Sequence, residues 1–320
     1  SYTPEWSLLV GGAGLLTLLI GAYTALFKHD LKGLLAYSTI SHLGLITLLF
    51  GIGTPLAAVA GVFHIMNHAT FKASLFMAAG IIDHEAGSRD MRKLNGLWKY
   101  MPYTAVLAMV ASAAMAGVPL LNGFLSKEMF FAKTVHLTDA GTVPWLPILA
   151  TLAGAFAVAY SLRFIHDVFF NGEPIDLPKT PHEPPRWMKL PVEILVVLCL
   201  AVGIFPAWTF GPLLASAASS TLQADLPAYS LSIWHGFNTA LAMSLVALVG
   251  GIMIYLVRKP LFRWHENSIA HIDARSMFLW LEQKIFGFAE ALNPILHRTS
   301  LQRMVAVTML SLIHISEPTR

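Results

Sequence analysis

The chain has 320 residues, of which 12% are charged and 56% hydrophobic, with 21 Lys and Arg against 18 Asp and Glu and a net charge of +3. Soluble domains carry about 25% charged residues, so a water-soluble enzyme and a disordered chain are both excluded. A single cysteine, Cys199, inside an apolar run excludes a disulfide framework and a cysteine-ligated metal or redox centre, and no basic face suits a nucleic acid.

About 20 apolar residues span the hydrocarbon core of a bilayer. In chain order, Trp6–Phe27 and Gly33–Gly53 lack Asp, Glu, Lys and Arg, and Pro55–Ile82 contains only Lys72. Pro102–Ser126, Pro144–Leu162, Ile194–Ala224 and Leu226–Val257 are again free of these residues. These runs predict a polytopic α-helical membrane protein. Residues 171–189, with Pro174, Pro178, Pro181, Pro184 and Pro185, form a stiffened loop. Beyond Arg258 charge returns, and Met277–Leu292 sets apolar residues at helical spacing against charged ones, as an interfacial amphipathic helix does. The last residues, Leu310–Arg320, read LSLIHISEPTR and resemble an in-frame translation of a transposase-type sequencing adapter, so 310–320 are expected to be foreign. With no initiator Met and a spanning run already at Trp6, the chain is expected to start inside a longer protein, with no signal peptide.

Loop charges set the orientation. If Pro102–Lys133 is one broken helix, Lys28, Lys32, Arg89, Arg92, Lys93, Lys99, Lys179, Arg186, Lys189, Arg258, Lys259 and Arg263 share one side, and only Lys133 lies on the other. Two spans there would divide the same basics seven to six. The first arrangement predicts seven crossings, with Ser1 outside and the chain after Val257 in the cytoplasm. Gly117-Val118-Pro119 and Asn122-Gly123 supply the break. Irregular backbone at membrane depth is tolerated only beside protein or a watery cavity, where transporters place ion sites.

A charge at the bilayer centre costs about 2.5–3.5 kcal/mol on insertion scales, so polar residues inside the runs mark candidate sites. His64, His68 and Lys72 recur every fourth residue and form one stripe, climbing about 12 Å with a drift of about 40° per step. Three titratable groups on one stripe can pass a proton stepwise; the alternative is interhelical hydrogen bonding with Lys72 snorkelling. A metal on His64 and His68 lacks an evident third ligand. Lys127 and Glu128 follow the break, either as part of the path or as a snorkelling pair. Tyr37, Ser38, Thr39, Ser41 and His42 form a polar patch that could hold water next to the stripe. Arg163 and Asp167, four apart with His166 between, are an internal ion pair or part of a cytoplasmic proton intake. Asp30 and Lys32 are candidates for the same intake, while Asp83, His84, Glu85, Arg89, Asp90 and Arg92 read as a solvated or structural loop cluster.

Three segments carry a family resemblance. DLKGLLAYSTISHLG (Asp30–Gly44), FHIMNHATFKASLF (Phe63–Phe76) and NGFLSKEMFF (Asn122–Phe131) resemble, in order, the antiporter-like subunits of respiratory complex I, membrane-bound hydrogenases and Mrp-type cation/proton antiporters. AAGIIDHEAGSRDMRKLNGL (Ala78–Leu97) and SLRFIHDVFF (Ser161–Phe170) are most similar to the A-type subunit of the Mrp antiporters. The resemblance implies two inverted five-helix repeats, each with a broken helix, then further spans and a long lateral helix. On that plan residues 1–170 are the second repeat, 171–189 a cytoplasmic loop, 190–257 two further spans and 258–309 the start of the lateral helix. Lys72 with its histidines then matches the central proton-relay lysine, and Lys127 the terminal lysine of the broken helix. The first repeat, with its glutamate–lysine pair, is not in this chain. The implied function is a non-enzymatic, proton-translocating subunit of a Na⁺ or K⁺/H⁺ antiporter. It would work with other membrane subunits in the bacterial inner membrane and without a cofactor. The alternative is a proton-pumping subunit of NADH:quinone oxidoreductase or a membrane-bound hydrogenase.

Overall fold

The computed structural model describes residues 3–139, 145–268, 274–296 and 301–316. It divides into two compact units, 1–258 and 259–320. The regular elements among the described residues of the first unit are all helices, with one isolated bridge between Asp30 and Asp90.

Helix α1 (Pro4–Phe27) includes a π-helical stretch, Ser7–Gly11. Helix α2 (Leu31–Ile52) starts where Asp30 Oδ1 accepts from Gly33 N at 2.6 Å and stops at Gly53, whose φ of 73° only glycine adopts without strain. The two helices touch backbone to backbone. A Cβ on Gly14 would lie 2.4 Å from Leu48 N, and one on Gly44 2.3 Å from Leu18 N, the small-residue packing by which helices approach closely in lipid. Helix α3 (Pro55–Ala86) has Thr54 as N-cap and Pro55 in its first turn, and it ends at Gly87. Its 32 residues extend about 48 Å, well beyond a bilayer core of about 30 Å.

Helix α4 (Pro102–Ala116) and helix α5 (Asn122–Asp139) are the two halves of the interrupted run. The start of α4 is capped from the proline-rich loop: Glu183 Oε1 accepts from Tyr103 N at 2.6 Å and Thr104 N at 3.1 Å. The end of α5 lies at the opposite end of the bundle, where Leu137 shares a cavity wall with Ile52 and Trp145. The two halves therefore make one passage.

Helix α6 (Leu146–Phe169) follows, then α7 (Arg186–Ile204), a one-turn helix Pro206–Thr209, α8 (Gly211–Leu222) and α9 (Thr239–Leu256). Here the structure departs from the uncharged runs in two places. Ile194–Ala224 is not one helix, because Pro206 ends α7 and the chain resumes as α8. Gly203, beside that interruption, packs against the α4–α5 break; a Cβ there would lie 2.2 Å from Leu120 O. In Leu226–Val257, only Thr239–Leu256 is helical, and 223–238 is irregular chain.

Among the described residues, five helices are long and apolar enough to cross a membrane: Pro4–Phe27, Leu31–Ile52, Leu146–Phe169, Arg186–Ile204 and Thr239–Leu256. Helix α3 is not among them, because His64, Asn67, His68 and Lys72 lower its hydropathy. With α3 and the α4–α5 pair, the described residues of the first unit supply seven passages. On the loop side of α3, Arg92 holds Asp90 through Nε at 3.0 Å and a second nitrogen at 2.7 Å, and these bonds keep the Asp90 carboxyl below its ordinary pKa.

The second unit contains α10 (Arg258–Ser268, whose first residue closes the first unit), α11 (Ala274–Leu296, with Pro294 inside) and α12 (Leu301–Ser316). The expected amphipathic stretch Met277–Leu292 lies within α11. Residues Leu310–Ser316 continue α12, while 317–320 lie outside the described residues.

Candidate functional site

Helix periodicity brings His64, His68 and Lys72 to one face of α3, and α2, α4 and α5 supply the partners on that face. Lys72 is buried. Its Nζ donates to Ser38 Oγ and to Leu35 O (3.3 Å) on α2, and lies 3.3 Å from Met115 Sδ on α4. Lys127 reaches the same methionine from the other side: Nζ donates to Met115 O at 2.8 Å and Ala116 O at 2.9 Å. These are last-turn carbonyls of α4, left without helical partners by the break, at the negative end of its dipole. Gly117 makes that arrangement fit. Its φ is +87°, and a Cβ would come within 2.9 Å of Lys127 Cδ.

Between the two lysines runs a histidine chain. His42 Nδ1 and His64 Nε2 are 3.0 Å apart, His64 Nδ1 and Ser126 Oγ 3.0 Å, and Tyr160 OH and His42 Nε2 3.4 Å. Ser126 Oγ donates onward to Gly123 O at 3.3 Å. With one proton on each ring, a single assignment satisfies every link. Tyr160 donates to His42, His42 Nδ1 donates to His64, and His64 Nδ1 donates to Ser126. A directional chain of this kind can move a proton along its length by reversing each link in turn. The His68 ring stands 5.2 Å from that of His42, and its Nε2 has no hydrogen-bond partner among the described residues. Ser41, His42, Lys127 and Tyr160 line a cavity of about 20 Å³, and about 10–15 Å³ suffices for one water.

The remaining candidates lie elsewhere. Lys127 and Glu128 do not act as a pair; Glu128 turns to the other side of α5, where Asn238 Nδ2 is 3.4 Å and His235 Nδ1 3.9 Å from its Oε1. Arg163 and Asp167 form an ion pair, with Nε 3.2 Å from Oδ2. Arg163 also donates to Leu26 O and Lys28 O (2.9 Å) at the end of α1, and so ties α6 to α1. Tyr255 OH donates to Asp167 Oδ1 at 2.8 Å and lies 2.7 Å from His166 Nδ1, while Arg258 approaches Asp167 at 3.5 Å. Asp30 caps α2 and pairs with Arg89 at 2.6 Å, and Lys32 pairs with Asp83 at 2.7 Å. Sequence reasoning missed Met115, Ser126, Tyr160 and Tyr255. Only Ser126 carried a signal, its position next to Lys127; an apolar methionine and two tyrosines in spanning helices have none.

Residues 1–152 match the family model described as "NADH:quinone oxidoreductase/Mrp antiporter, TM". The probable K(+)/H(+) antiporter A/B-type subunit of Rhizobium meliloti (strain 1021) is 66% identical over 260 residues, which is 80% of this chain and 26% of that protein. The A-type Na(+)/H(+) antiporter subunit of Alkalihalophilus pseudofirmus is 37% identical over 318 residues, 87% of this chain and 39% of that protein. The structure of the Mrp complex from Dietzia sp. DQ12-45-1b superposes with a TM-score of 0.78 at 34% identity, covering 98% of this chain and 34% of that one. The match over residues 1–152 makes that part of the chain similar to the membrane domain that the family model describes for NADH:quinone oxidoreductases and Mrp antiporters. Within that class it is a homologue of the A-type Mrp antiporter subunits. It spans 26% and 39% of the length of these two curated relatives.

Proposed function

We propose that the protein containing this chain is a proton-translocating subunit of a multisubunit monovalent cation/proton antiporter, a transporter and not an enzyme. It works with other membrane subunits in the bacterial cell membrane. The observation that carries this reading is the meeting of two buried lysines, Lys72 and Lys127, on Met115 beside a hydrogen-bonded histidine chain. Buried ionisable groups inside a membrane bundle are costly and mark ion or proton paths. In this reading protons pass among Lys72, His68, His42, His64 and Lys127. A water in the small cavity connects His42 and Tyr160 to Lys127, since a bridging water is nearly as good as a direct hydrogen bond. Arg163, His166 and Asp167, with Asp30 and Lys32, lie on the intake side. The names of the two relatives, one for a K(+)/H(+) and one for a Na(+)/H(+) antiporter, support a monovalent cation as the exchanged ion.

The test is cation-driven proton flux in proteoliposomes of the whole complex. Lys72→Ala is expected to abolish flux while the complex assembles, and wild-type flux in this variant would remove Lys72 from the mechanism. His68→Ala, which removes a ring whose Nε2 has no hydrogen-bond partner among the described residues, is expected to slow flux less than His64→Ala, which breaks two links.

A further inference from the structure

Glu128 is a carboxylate in the wrong company for a structural ion pair. It is 7% exposed, yet no Lys or Arg among the described residues comes within ion-pairing distance of it. Its neighbour Lys127 is spent on the carbonyls of Met115 and Ala116. Its polar contacts among the described residues are long and fall on Oε1, from Asn238 at 3.4 Å and His235 at 3.9 Å. A buried charge without a close partner either draws a cation to itself or gives up its charge.

Space for a cation lies beside it. Glu128 lines a cavity of about 300 Å³ between α5, the start of α3 and the irregular stretch 228–238, with Ser230, Ser232, His235 and Asn238 on its wall. That volume is far above the roughly 10–15 Å³ that suffices for one water, enough for an ion that keeps part of its hydration shell. The chemistry of the wall selects the class of ion. Beside the single imidazole of His235, its ligands are one carboxylate, hydroxyls and an amide, mostly oxygen donors that suit hard cations and not thiophilic metals. A single carboxylate, with Lys133 on the same wall, supplies too little negative charge for a tight divalent site.

We propose that this cavity binds one partly hydrated alkali-metal cation, with Glu128 as its charge partner and the 228–238 stretch as its cover. The proposal rests on the antiporter reading and adds to it. Helix α5 would present Lys127 to the proton path on one side and Glu128 to the cation on the other. A proton and the cation would then compete for one carboxylate adjacent to the relay.

The test is equilibrium binding of ²²Na⁺ and ⁸⁶Rb⁺ to the purified whole complex, counted as ions per complex. Glu128→Gln is expected to lose one bound ion per complex. Lys72→Ala is expected to keep the full count while flux fails, which separates the two readings. Wild-type flux in Lys72→Ala would sink the relay and leave the count to decide the cavity. A full complement of ions in Glu128→Gln overturns the cation site, including where that variant has lost flux. Should Glu128→Gln not assemble, Ala228→Trp fills the cavity from the irregular stretch without touching Glu128. It is expected to lose the same ion, and an unchanged count again overturns the proposal.

Discussion

Tyr160 shows how one side chain can matter through a single atom. Its ring is fully buried in α6, and its hydroxyl is the polar group of that helix that reaches His42 Nε2. Tyr160→Phe keeps the packing and deletes that link. If the hydroxyl serves the proton path, flux in the whole complex should fall about tenfold, the rate equivalent of about 1.4 kcal/mol and the order of one hydrogen bond. Assembly and melting temperature should stay near wild type. A merely structural hydroxyl would leave the pH profile of flux unmoved, so a more acidic fluorotyrosine at 160 should shift that profile. Unchanged flux in Tyr160→Phe would place the tyrosine outside the path. Arg163 works the other way. With its guanidinium committed to Leu26 O, Lys28 O and Asp167, it acts chiefly by fastening α6 to the end of α1.

Among the elements, the break between α4 and α5 carries the site. It turns the end of α4 into a set of free carbonyls, and Lys127 answers two of them. Gly117 is where the geometry is least forgiving, since any side chain meets both an unfavourable φ and the Lys127 stem. Gly117→Ala is expected to cost about 1–3 kcal/mol, lowering the melting temperature of the complex and cutting flux by displacing Lys127. Gly12→Ala, in α1, provides the contrast: a Cβ there meets nothing within 4 Å, and the change should be neutral or slightly stabilising. Equal effects of the two would show that the break tolerates a side chain. The second interruption, at Phe205–Pro206, packs beside the first through Gly203, so the irregular backbone of one passage is shielded by another and not by lipid.

At the level of the whole molecule, the bundle has two chemically different ends. One is held by the proline-rich loop, whose Glu183 caps α4 and whose Lys179 donates to His84 O at 2.9 Å. The other carries Trp145, Ile52 and Leu137. We propose that the first end faces the cytoplasm, following the basic loops. Single cysteines at the exposed positions Lys93 and His136, in a Cys199→Ala background, test this. An impermeant thiol reagent should label them from opposite sides, Lys93→Cys from the cytoplasm. Labelling of both from one side would turn α4 and α5 into two crossings and reverse the orientation of α6, α7 and α9.

Much of this was legible without a fold. The uncharged runs specify a membrane protein because each residue contributes to hydropathy independently of its neighbours. The four-residue spacing of His64, His68 and Lys72 specifies a stripe because helix geometry is local. Gly117-Val118-Pro119 announces a break because proline and glycine act on their own backbone. What a stripe faces is a different matter, since it depends on which helices pack together. Only the tertiary structure brings Ser126, Tyr160 and Met115 to the histidines and lysines, gives Lys127 and Glu128 different partners on two faces of α5, and consumes Arg163 in fastening α1. It alone shows that 223–238 leaves the helix to cover a cavity, because apolar composition suits a covering segment as well as a spanning helix. Hydrophobicity and period are properties of a segment, whereas a partner across a helix interface belongs to the packing of all of them.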